Sequence, residues 1–352
     1  MTPTTSKSDF VEQRARSGAP VTILASSRYR AVVCWIPYLG ALNPVGAKKS
    51  KRWLAVFNGG EVEIDLDQMS VVMFYGATDA AIPLRFLHDA SHSDTGVIIH
   101  SSRATRPIFF TPAPGPDRHD ILSAQIRFRD NQRKRLVIAR ALLQARAQQM
   151  GRLITISDKH IVGLREASSI EALRSIEAHL SSRYWKAFFS TINHPEWHRR
   201  DDNPAAKALD AISAFQAGLL LRWVTLHRLS PSHGYLHEPS GYPALLYDLI
   251  EPCRHLGERA VLHAWQSGAR DEALVGASIN AFKDILSEWA EVPSLQVEAT
   301  HKSIMHGHVL ALRAYLSGEM IRLNLPIDEQ HRSRGRPVKV SYQIPGARVR
   351  RR

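Results

Sequence analysis

The first hundred residues alternate between short apolar runs and turn-forming residues, which is the pattern of β-strands. In Glu61–Leu66, the side chains of Val62, Ile64 and Leu66 share one face. The preceding Asn58-Gly59-Gly60 predicts a hairpin, because Asn and Gly accept positive φ angles. One helix is predicted from about Pro83 to Asp89, with proline in its first turn. The predicted strands are Val21–Ala25, Ala31–Ile36, Arg52–Phe57, Glu61–Leu66, Val71–Tyr75, Val97–Ile99 and Ile108–Phe110.

The pattern changes at Thr111–Asp117, where three prolines and one glycine exclude regular helix and strand. Beyond this segment the apolar spacing becomes helical, starting with one helix over Ile121–Met150. Its apolar face is predicted to contain Leu122, Ile126, Leu136 and Leu143.

Two capping patterns mark further helices in the second half of the chain. Ser168 and Glu171 form a capping box, and Asn203 followed by Pro204 is a typical N-cap with proline at the first helical position. The predicted helices run from Ser168 to Phe189, from Asn203 to about His227, from Pro243 to Trp265 with a bend or restart at Pro252, from Glu272 to Trp289 and from Glu298 to Leu316.

These patterns predict an α+β protein, in which an N-terminal, strand-rich and sandwich-like β domain precedes a C-terminal all-α domain. The predicted boundaries are an N-terminal tail at residues 1–20, the β domain at 21–110, a linker at 111–118, the helical domain at 119–327 and a basic, disordered tail at 328–352.

Composition narrows the class of protein. With 44% hydrophobic and 22% charged residues, the chain is not wholly disordered. Two cysteines, Cys34 and Cys253, cannot make a disulfide framework or, by themselves, a zinc cluster, which predicts a reducing, cytoplasmic setting. The polar N-terminus predicts no signal peptide. The longest apolar stretch, Ala214–Leu226, is interrupted by Arg222 and is too short to span a bilayer.

The net charge of +13 is held in two segments. Residues 331–352 contain eight basic and no acidic residues, and residues 121–152 contain eight basic residues and one acid, so together they carry +15 and the rest of the chain −2. Concentrated positive charge favours a polyanion such as DNA. A membrane surface is the weaker alternative, because neither segment is an obvious amphipathic anchor.

Within these segments, a few basic residues are candidates for DNA contact. Arg129, Arg133 and Arg140 form a stripe on the predicted helix, with a solvated face as the alternative of about equal weight. Arg336 lies in Gly335-Arg336-Pro337, which resembles the core of a minor-groove AT-hook, although a phosphate-binding tail without sequence preference is favoured.

Glu177 stands out on the predicted helix that follows Ser168. It shares an apolar stripe with Leu173, Leu180 and Tyr184. Burying a carboxylate is costly unless it is paired or binds a metal. The alternatives are therefore a metal ligand or an ion pair with a buried arginine.

Further acids and an imidazole follow in order along the chain. His237 lies beside a turn, and Asp248 and Glu251, three residues apart, share one helix face. Taken alone, His237 could be structural, and the acids, with His255 and Glu258, could form the polar side of an amphipathic helix. Taken with Glu177, they predict a site for a hard cation, Mg²⁺ or Mn²⁺, and imidazole favours Mn²⁺. Such a cation can polarise a phosphodiester.

Other histidine groups are weaker candidates for metal binding, because chance clusters are expected among 17 histidines. They are His194 with His198, and His301 with His306 and His308.

Around these residues the sequence resembles the CRISPR-associated spacer-acquisition integrases. The first similar block is Ser175-Ile-Glu-Ala178 followed by Arg183-Tyr-Trp185, the second is Gly234-Tyr-Leu-His237, and the third is Leu246-Tyr-Asp-Leu-Ile-Glu-Pro-Cys-Arg254. The resemblance covers about residues 20–325, with the three blocks in the family's order. One departure is that Lys207 and Asp210 stand where the family often has asparagine.

The resemblance implies a homodimeric, metal-dependent DNA endonuclease and integrase of the prokaryotic cytoplasm. It implies that Glu177, His237 and either Asp248 or Glu251 hold Mg²⁺ or Mn²⁺, and that Tyr235 and Arg254 support them. The β domain would mediate dimerisation. The partners implied are double-stranded DNA and a small second CRISPR-associated protein, and no membrane. The reaction would join the 3′-hydroxyl of a short DNA to a CRISPR repeat by transesterification.

Three alternatives remain open from the sequence. The chain could be a stand-alone or transposon-encoded homologue of these integrases. It could be a metal-dependent nuclease that uses water in DNA repair. It could also be an architectural DNA-binding subunit, although all four candidate side chains retain ligand chemistry.

Overall fold

The computed structural model describes residues 10–14, 20–24, 32–47, 50–57, 60–76, 80–100, 107–111, 119–238, 242–328 and 338–349. The chain divides into two compact units, Met1–Gly115 and Pro116–Arg352. The first is rich in strands and the second is mostly helical, which confirms the predicted α+β class.

The first unit contains two sheets, one α-helix and a 3₁₀ turn at Leu66–Gln68 within the described residues. Six strands form one sheet in the order β1-β2-β3-β7-β8-β9, and β4-β5-β6 form the other. In the larger sheet, β7 runs parallel to both β3 and β8. The elements are β1 Phe10–Arg14, β2 Pro20–Leu24, β3 Val32–Pro37, β4 Leu39–Val45, β5 Arg52–Phe57, β6 Gly60–Asp65, β7 Met69–Tyr75, α1 Leu84–His92, β8 Gly96–His100 and β9 Ile108–Phe110.

The core of this unit is built from both sheets and α1. Trp53 of β5 packs edge-on against Phe86 of α1, with ring centroids 5.3 Å apart. The Trp53 indole N–H donates a hydrogen bond to Asp89 at 3.2 Å, so the buried ring keeps a polar partner. Phe74 of β7 also packs on Phe86.

Some strand predictions hold and others fail for identifiable reasons. The hairpin is confirmed, because β5 and β6 pair antiparallel with Phe57 opposite Gly60; Asn58 and Gly59 lie outside the described residues. Strand β4 is missed, because Gly40 and Pro44 oppose a strand assignment. Pro44 is tolerated because β4 is the edge strand of its sheet. Strand β1 lies within the segment assigned to an N-terminal tail, and residues 112–118 of the assigned linker lie outside the described residues.

The second unit is a helical body with a small sheet. The helices are α2 Ile121–Asp130, α3 Gln132–Met150, α4 Asp158–Glu166, α5 Ile170–Thr191, α6 Pro204–Leu226, α7 Ala244–Ile250, α8 Arg254–Gln266, α9 Asp271–Ser287 and α10 His301–Leu316, with a 3₁₀ turn at Glu251–Cys253 between α7 and α8. The strands β10 Trp289–Val292, β11 Val297–Thr300 and β12 Arg348–Val349 form a sheet in that order.

The single helix expected over Ile121–Met150 is wrong. The chain leaves helical geometry at Asn131, with φ −80° and ψ 104°, and the Asn131 side chain accepts a hydrogen bond from the backbone N–H of Lys134. Asn131 is thus the N-cap of α3. The predicted apolar face fails in the first helix, because Leu122 and Ile126 are exposed while Ile121 is buried.

Helix α6 is the main core helix of this unit. Asn203 caps it as predicted, by accepting from the N–H of Ala206, and Pro204 is its first residue. The helix is long and apolar enough to cross a membrane, but 72% of its apolar window is buried inside the protein. That burial is typical of a core helix in a globular body.

The tail expected to be disordered after Asp328 is structured where it is described. Strand β12 pairs with β11, the N–H of Val338 donates to the carbonyl of Ser294, and Ile344 is buried among Val292, Ala299 and Ile304. The expectation failed because the segment has few apolar residues, and these pack on the β10–β11 hairpin, which periodicity alone did not reveal.

We expect Ile344→Ala to lower the free energy of unfolding by about 2–4 kcal/mol, because it removes a buried side chain and leaves a cavity. Chemical denaturation measures this directly. Val349→Ala, at an exposed position of β12, should change stability by less than about 0.5 kcal/mol. Equal small effects of both substitutions would contradict the packing of the C-terminal segment.

Candidate active site

The side chain of Asp248 organises the loop that carries His237. Its Oδ2 accepts hydrogen bonds from the backbone N–H of Tyr235 at 2.5 Å and of Leu236 at 3.1 Å, and its Oδ1 accepts from the N–H of His237 at 2.9 Å. Asp248 is fully buried in α7. A buried carboxylate is stable when donors surround it, and three consecutive amides supply them here.

The His237 ring is oriented by the same carboxylate. Its Nδ1 lies 2.7 Å from Asp248 Oδ1, so Nδ1 carries a proton, and in the neutral ring Nε2 is the nitrogen with a free lone pair. Nε2 has no hydrogen bond to another described residue, and the side chain is 31% exposed. Burial lowers the pKa of His237, but the hydrogen bond and charge of Asp248, with the charge of Glu251, outweigh it and raise that pKa.

Gly234 lets the loop approach α7 closely. A Cβ at this position would lie 2.9 Å from both Ala244 Cβ and Asp248 Oδ2, which is closer than non-bonded atoms approach. Any other residue would push the loop away from Asp248. The glycine of the Gly234-Tyr-Leu-His237 block is therefore explained by packing.

The opposite edge of the loop is held by two arginines. The Nε of Arg135, from α3, donates to the carbonyl of Tyr235 at 2.8 Å. A guanidinium nitrogen of Arg174, from α5, donates to the carbonyl of Leu236 at 2.5 Å. Since Asp248 takes the N–H groups and the arginines take the carbonyls, the backbone beside His237 is fixed on both edges.

Glu251 lies in the 3₁₀ turn after α7 and is buried between two guanidinium groups. Arg254 donates to its Oε1 at 2.6 Å, and Arg146 lies 3.7 Å from its Oε2. Burial alone would raise the pKa of Glu251, but Arg254, Arg146 and His237 lower it, so the carboxylate is ionised at neutral pH. Arg254 thus contacts Glu251 and not Asp248.

Arg146 is the centre of a buried ionic network. It donates two hydrogen bonds to Glu258, at 3.1 and 2.6 Å, and lies over the ring of Tyr184 at 4.9 Å. The Tyr184 hydroxyl donates to the same Glu258 at 2.5 Å. The idea that Glu258 and His255 form a solvated polar face is therefore wrong, because both are buried.

Sequence reasoning missed Arg146, although the sequence contains a signal for it. Arg146 shares one helix face with the buried residues Ala139, Leu142, Leu143 and Met150. This is the same kind of break in an apolar stripe that drew attention to Glu177.

Glu177 lies on the face of α5 that contacts both parts of the site. Arg174, three residues before it, bonds the His237 loop, and Tyr184, seven residues after it, bonds α8 through Glu258. The Glu177 side chain is half-buried and accepts a hydrogen bond from Ser181 at 2.5 Å. It makes no ion pair among the described residues, so the alternative of pairing with a buried arginine is not what the structure contains.

The four predicted ligands do not form a ready cluster. Among the described residues, no group of three or more His, Cys, Asp and Glu side chains is arranged to hold a metal ion. The reason lies in their partners: Asp248 faces the loop amides, Glu251 faces Arg254 and Glu177 faces Ser181. His237 nevertheless interacts with both Asp248 and Glu251, whereas Glu177 has no hydrogen bond or ion pair with these three residues.

The other candidate residues have varied surroundings. Tyr235 is buried, and its hydroxyl donates a long hydrogen bond to the carbonyl of Gln125. Arg129 lies 3.5 Å from Glu238, and Arg140 bonds the carbonyl of Ala167, so these two are not simply solvated. Arg133 is exposed, and Arg336 lies outside the described residues.

The remaining histidine candidates are largely structural. His308 is buried and donates to the carbonyl of Pro326 at 2.8 Å. His306 stacks on Trp223 and lies 2.8 Å from a ring nitrogen of His227. His194 stacks on Trp197 at a centroid distance of 3.8 Å, and His198 lies 3.3 Å from Asp201.

His301, the last of the histidine candidates, belongs to a second buried cluster, which is formed around Asp328. The carboxylate accepts hydrogen bonds from Gln149 and Arg152, each at 3.0 Å, and lies 3.5 Å from His255 and 3.6 Å from His301. These contacts fasten the chain after α10 to α3 and α8.

Comparison with known proteins identifies the family. The family model described as "CRISPR associated protein Cas1" matches residues 46–275, which is more than half of the chain. The protein belongs to the Cas1 family, as the sequence blocks predicted. The matched range contains Glu177, His237, Asp248 and Glu251.

Individual relatives agree with this assignment. A curated relative, the "CRISPR-associated endonuclease Cas1 2" of Moorella thermoacetica, is 29% identical over 133 residues, which span 34% of this chain and 41% of the relative. The match thus spans well under half of that relative's length.

Solved structures share the fold at low identity. A casposase bound to integration product has a TM-score of 0.73 and 17% identity, covering 84% of this chain and 93% of the casposase. A Cas1 protein from Thermotoga maritima has a TM-score of 0.68 and 17% identity, covering 83% and 99%. A chain of a "Cas6-RT-Cas1–Cas2 complex" has a TM-score of 0.63 and 14% identity, covering 84% and 36%.

The buried histidines predict that stability falls as the pH falls from about 6.5 to 4. Burial lowers the pKa of His301 and of His308 from 6.5 to about 4, so the unfolded chain binds these protons first. For His308 the loss amounts to about 3 kcal/mol. Denaturation at several pH values measures it.

His308→Gln should flatten this pH dependence, because glutamine keeps a donor for Pro326 but does not titrate. His198→Gln, at an exposed position, is the matched control and should leave the slope unchanged. An identical slope in the wild-type protein and His308→Gln would contradict the prediction.

Proposed function

We propose that this protein is a metal-dependent DNA integrase and endonuclease of CRISPR adaptation. It joins the 3′-hydroxyl of a short DNA to a phosphodiester of a CRISPR repeat. The observation that carries the proposal is the orientation of His237 by the fully buried Asp248, beside the ionised Glu251, in a chain of the Cas1 family. Such an arrangement is typical of an imidazole prepared to bind a cation.

The residues present fit a hard divalent cation in their chemistry. The Nε2 of His237 and carboxylate oxygens of Glu251 and Glu177 form the proposed ligand set for Mg²⁺ or Mn²⁺. Asp248 is the positioning residue, because its two oxygens are occupied by three amides and the ring. Metal binding requires the Glu177 side chain to rotate away from Ser181. It also requires Glu251 to bind the cation while it remains paired with Arg254.

A bound cation would supply Lewis acidity toward the phosphodiester and lower the pKa of an oxygen nucleophile. The chain's own residues hold the geometry: Asp248 fixes the ring of His237, Gly234 permits the close loop, and Arg135 and Arg174 hold its carbonyls. Arg254 and Arg146 keep Glu251 ionised and in place. Their positive charge also suits a site that receives phosphate.

The proposed reaction is a transesterification. A bond forms between the incoming 3′ oxygen and the target phosphorus, and the bond from that phosphorus to the target's own 3′ oxygen breaks. The departing oxygen ends as a hydroxyl, and the incoming hydroxyl has lost its proton. One phosphodiester replaces another, so no ATP is consumed.

The partners follow from charge and family. Double-stranded DNA suits the basic segments at 121–152 and 331–352. We also propose a homodimer, a small Cas2-type partner and a prokaryotic cytoplasmic location. The DNA and Cas2-type partners are supported by similar folds, which include a casposase bound to integration product and the complex that contains Cas1 and Cas2.

One variant of this function, left open from the sequence, is that the chain is a stand-alone or transposon-encoded homologue that integrates DNA without a second CRISPR-associated protein. The purified protein tested alone distinguishes the two. A further alternative, hydrolysis with water as nucleophile, is separated by using donor DNA with and without its 3′-hydroxyl, since only strand transfer requires that group.

His237→Ala should lower strand transfer by at least about 100-fold, because it removes a proposed ligand. The measurement is joining of a labelled short duplex to a supercoiled plasmid carrying a CRISPR repeat, with Mn²⁺ present. His198→Gln, an exposed histidine elsewhere on the same unit, is the control. Undiminished joining by His237→Ala would overturn the metal-site assignment.

Two substitutions, Glu177→Gln and Asp248→Asn, should distinguish a residue that binds the metal from a residue that holds His237 in position. Glu177→Gln removes a proposed ligand whose only hydrogen-bond partner in the described part of the chain is Ser181, so Mn²⁺ affinity should fall at least about tenfold while stability changes by less than about 0.5 kcal/mol. Asp248→Asn places an amide against loop N–H groups, so it should cost about 2–4 kcal/mol.

Calorimetry with Mn²⁺ and chemical denaturation measure the two effects. Glu166→Gln, at an exposed position, makes the same charge change and should alter neither. Unchanged Mn²⁺ affinity in Glu177→Gln would remove Glu177 from the ligand set.

A further inference from the structure

Three arginines converge on the carboxylate of Glu238, the residue directly after His237. Arg135 forms a short ion pair with Glu238 Oε1, and Arg174 and Arg129 each lie 3.5 Å from a Glu238 oxygen. The arginines come from α3, α5 and α2, so three helices direct positive charge to one point. Three guanidinium groups around one carboxylate leave an excess of two positive charges.

Two of these arginines are anchored independently of Glu238. Arg135 also bonds the carbonyl of Tyr235, and Arg174 bonds the carbonyl of Leu236. Their guanidinium groups therefore stay in place when Glu238 moves. Arg129 has a different property: its Nε is buried and has no hydrogen-bond partner among the described residues. A buried donor without an acceptor is costly, so an acceptor that reached this guanidinium group would be favoured.

The surroundings suit a phosphate better than the carboxylate that is there. Arginine recognises carboxylate and phosphate through the same planar geometry, but a phosphodiester within DNA also brings the counterion release that favours binding. Glu238 is 49% exposed, and exposed ion pairs of this kind add little to stability. Its replacement by another anion therefore has a low cost.

We propose that Arg129, Arg135 and Arg174 form a binding site for one DNA phosphate beside His237, and that Glu238 occupies this site until DNA displaces it. The inference rests on the proposed function, because it assigns a phosphate contact to the same site. It adds an internal competitor: in the DNA-free protein, the carboxylate keeps the arginines paired and weakens the attraction for DNA.

The test measures DNA binding by Glu238→Gln in the presence of a chelator, so that no metal and no chemistry is needed. The probe is a fluorescent short duplex with 3′ overhangs, titrated at several salt concentrations. We expect roughly two- to fivefold tighter binding than wild type, the range of an exposed ion pair. The salt dependence should become steeper, because solution anions now neutralise the arginines and are released by DNA.

A double-mutant cycle with Arg129→Gln distinguishes competition from simple repulsion. Arg129 bonds neither loop carbonyl, so its replacement leaves the backbone beside His237 held by Arg135 and Arg174. If Glu238 competes with phosphate for these arginines, the gain from Glu238→Gln shrinks when Arg129 is absent. An equal gain in both backgrounds would mean that Glu238 only repels DNA from a distance, and it would overturn the proposal.

A structural role for Glu238 predicts another outcome. If Glu238 serves only to fasten the loop, Glu238→Gln lowers the unfolding temperature and does not tighten DNA binding, which overturns the proposal. Glu166→Gln is the matched control for the change of one charge on an exposed residue. An affinity gain in Glu166→Gln as large as in Glu238→Gln also overturns it.

The outcome separates this inference from the proposed function. Tighter, Arg129-dependent binding by Glu238→Gln supports the phosphate site even when the wild-type protein transfers no strands. Strand transfer by the wild-type protein without any gain in Glu238→Gln overturns the phosphate site and leaves the integrase proposal intact. Absence of DNA binding by both proteins overturns the two together.

Discussion

The carboxylate of Asp248 is the constraint on which the candidate site depends. It is fully buried, and it is stable there because three successive amides and the His237 ring donate to it. Those bonds fix the course of the loop, and they also decide which ring nitrogen carries the proton. The Asp248 side chain therefore determines both the backbone conformation of the loop and the protonated nitrogen of the His237 ring. Gly234 is needed because a larger residue at this position would separate the loop from Asp248.

A second group of charges supports this arrangement from inside the helical unit. Arg146 joins Glu251 and Glu258, and Tyr184 closes the group from α5. A buried ion pair generally contributes little net stability compared with apolar residues in its place. Removing only one partner is costly, because the other charge is left buried and uncompensated. Here the network connects α3, α5 and α8 around Glu251, so the position of this acid depends on three helices at once.

The sequence predicted those features that depend on local patterns. Asn203 and Pro204 mark the start of α6, the glycines after Phe57 mark the hairpin, and Glu177 breaks an apolar stripe that is otherwise buried. Features that depend on tertiary packing were missed. Strand β4 is acceptable only because it is an edge strand, and Ile344 is buried only because a hairpin distant in sequence receives it.

The candidate site shows the same division. Spacing drew attention to His237, Asp248 and Glu251, but it could not show that Asp248 faces the loop amides while Glu251 faces arginines. Asp248 belongs to α7, whereas Glu251 belongs to the 3₁₀ turn that follows it. Arg135 and Arg174 were missed for a similar reason, since their partners are backbone carbonyls about 100 and 60 residues away in sequence, respectively.

The interruption at Asn131 has a geometric consequence for the arginines around Glu238. Arg129 and Arg135 are six residues apart, and on one continuous helix their side chains would point about 120° away from each other. Because α2 ends and α3 begins between them, both can reach the same carboxylate. The single non-helical residue Asn131 thus joins α2 to α3 at an angle. That interhelical angle governs the distance between the guanidinium groups of Arg129 and Arg135.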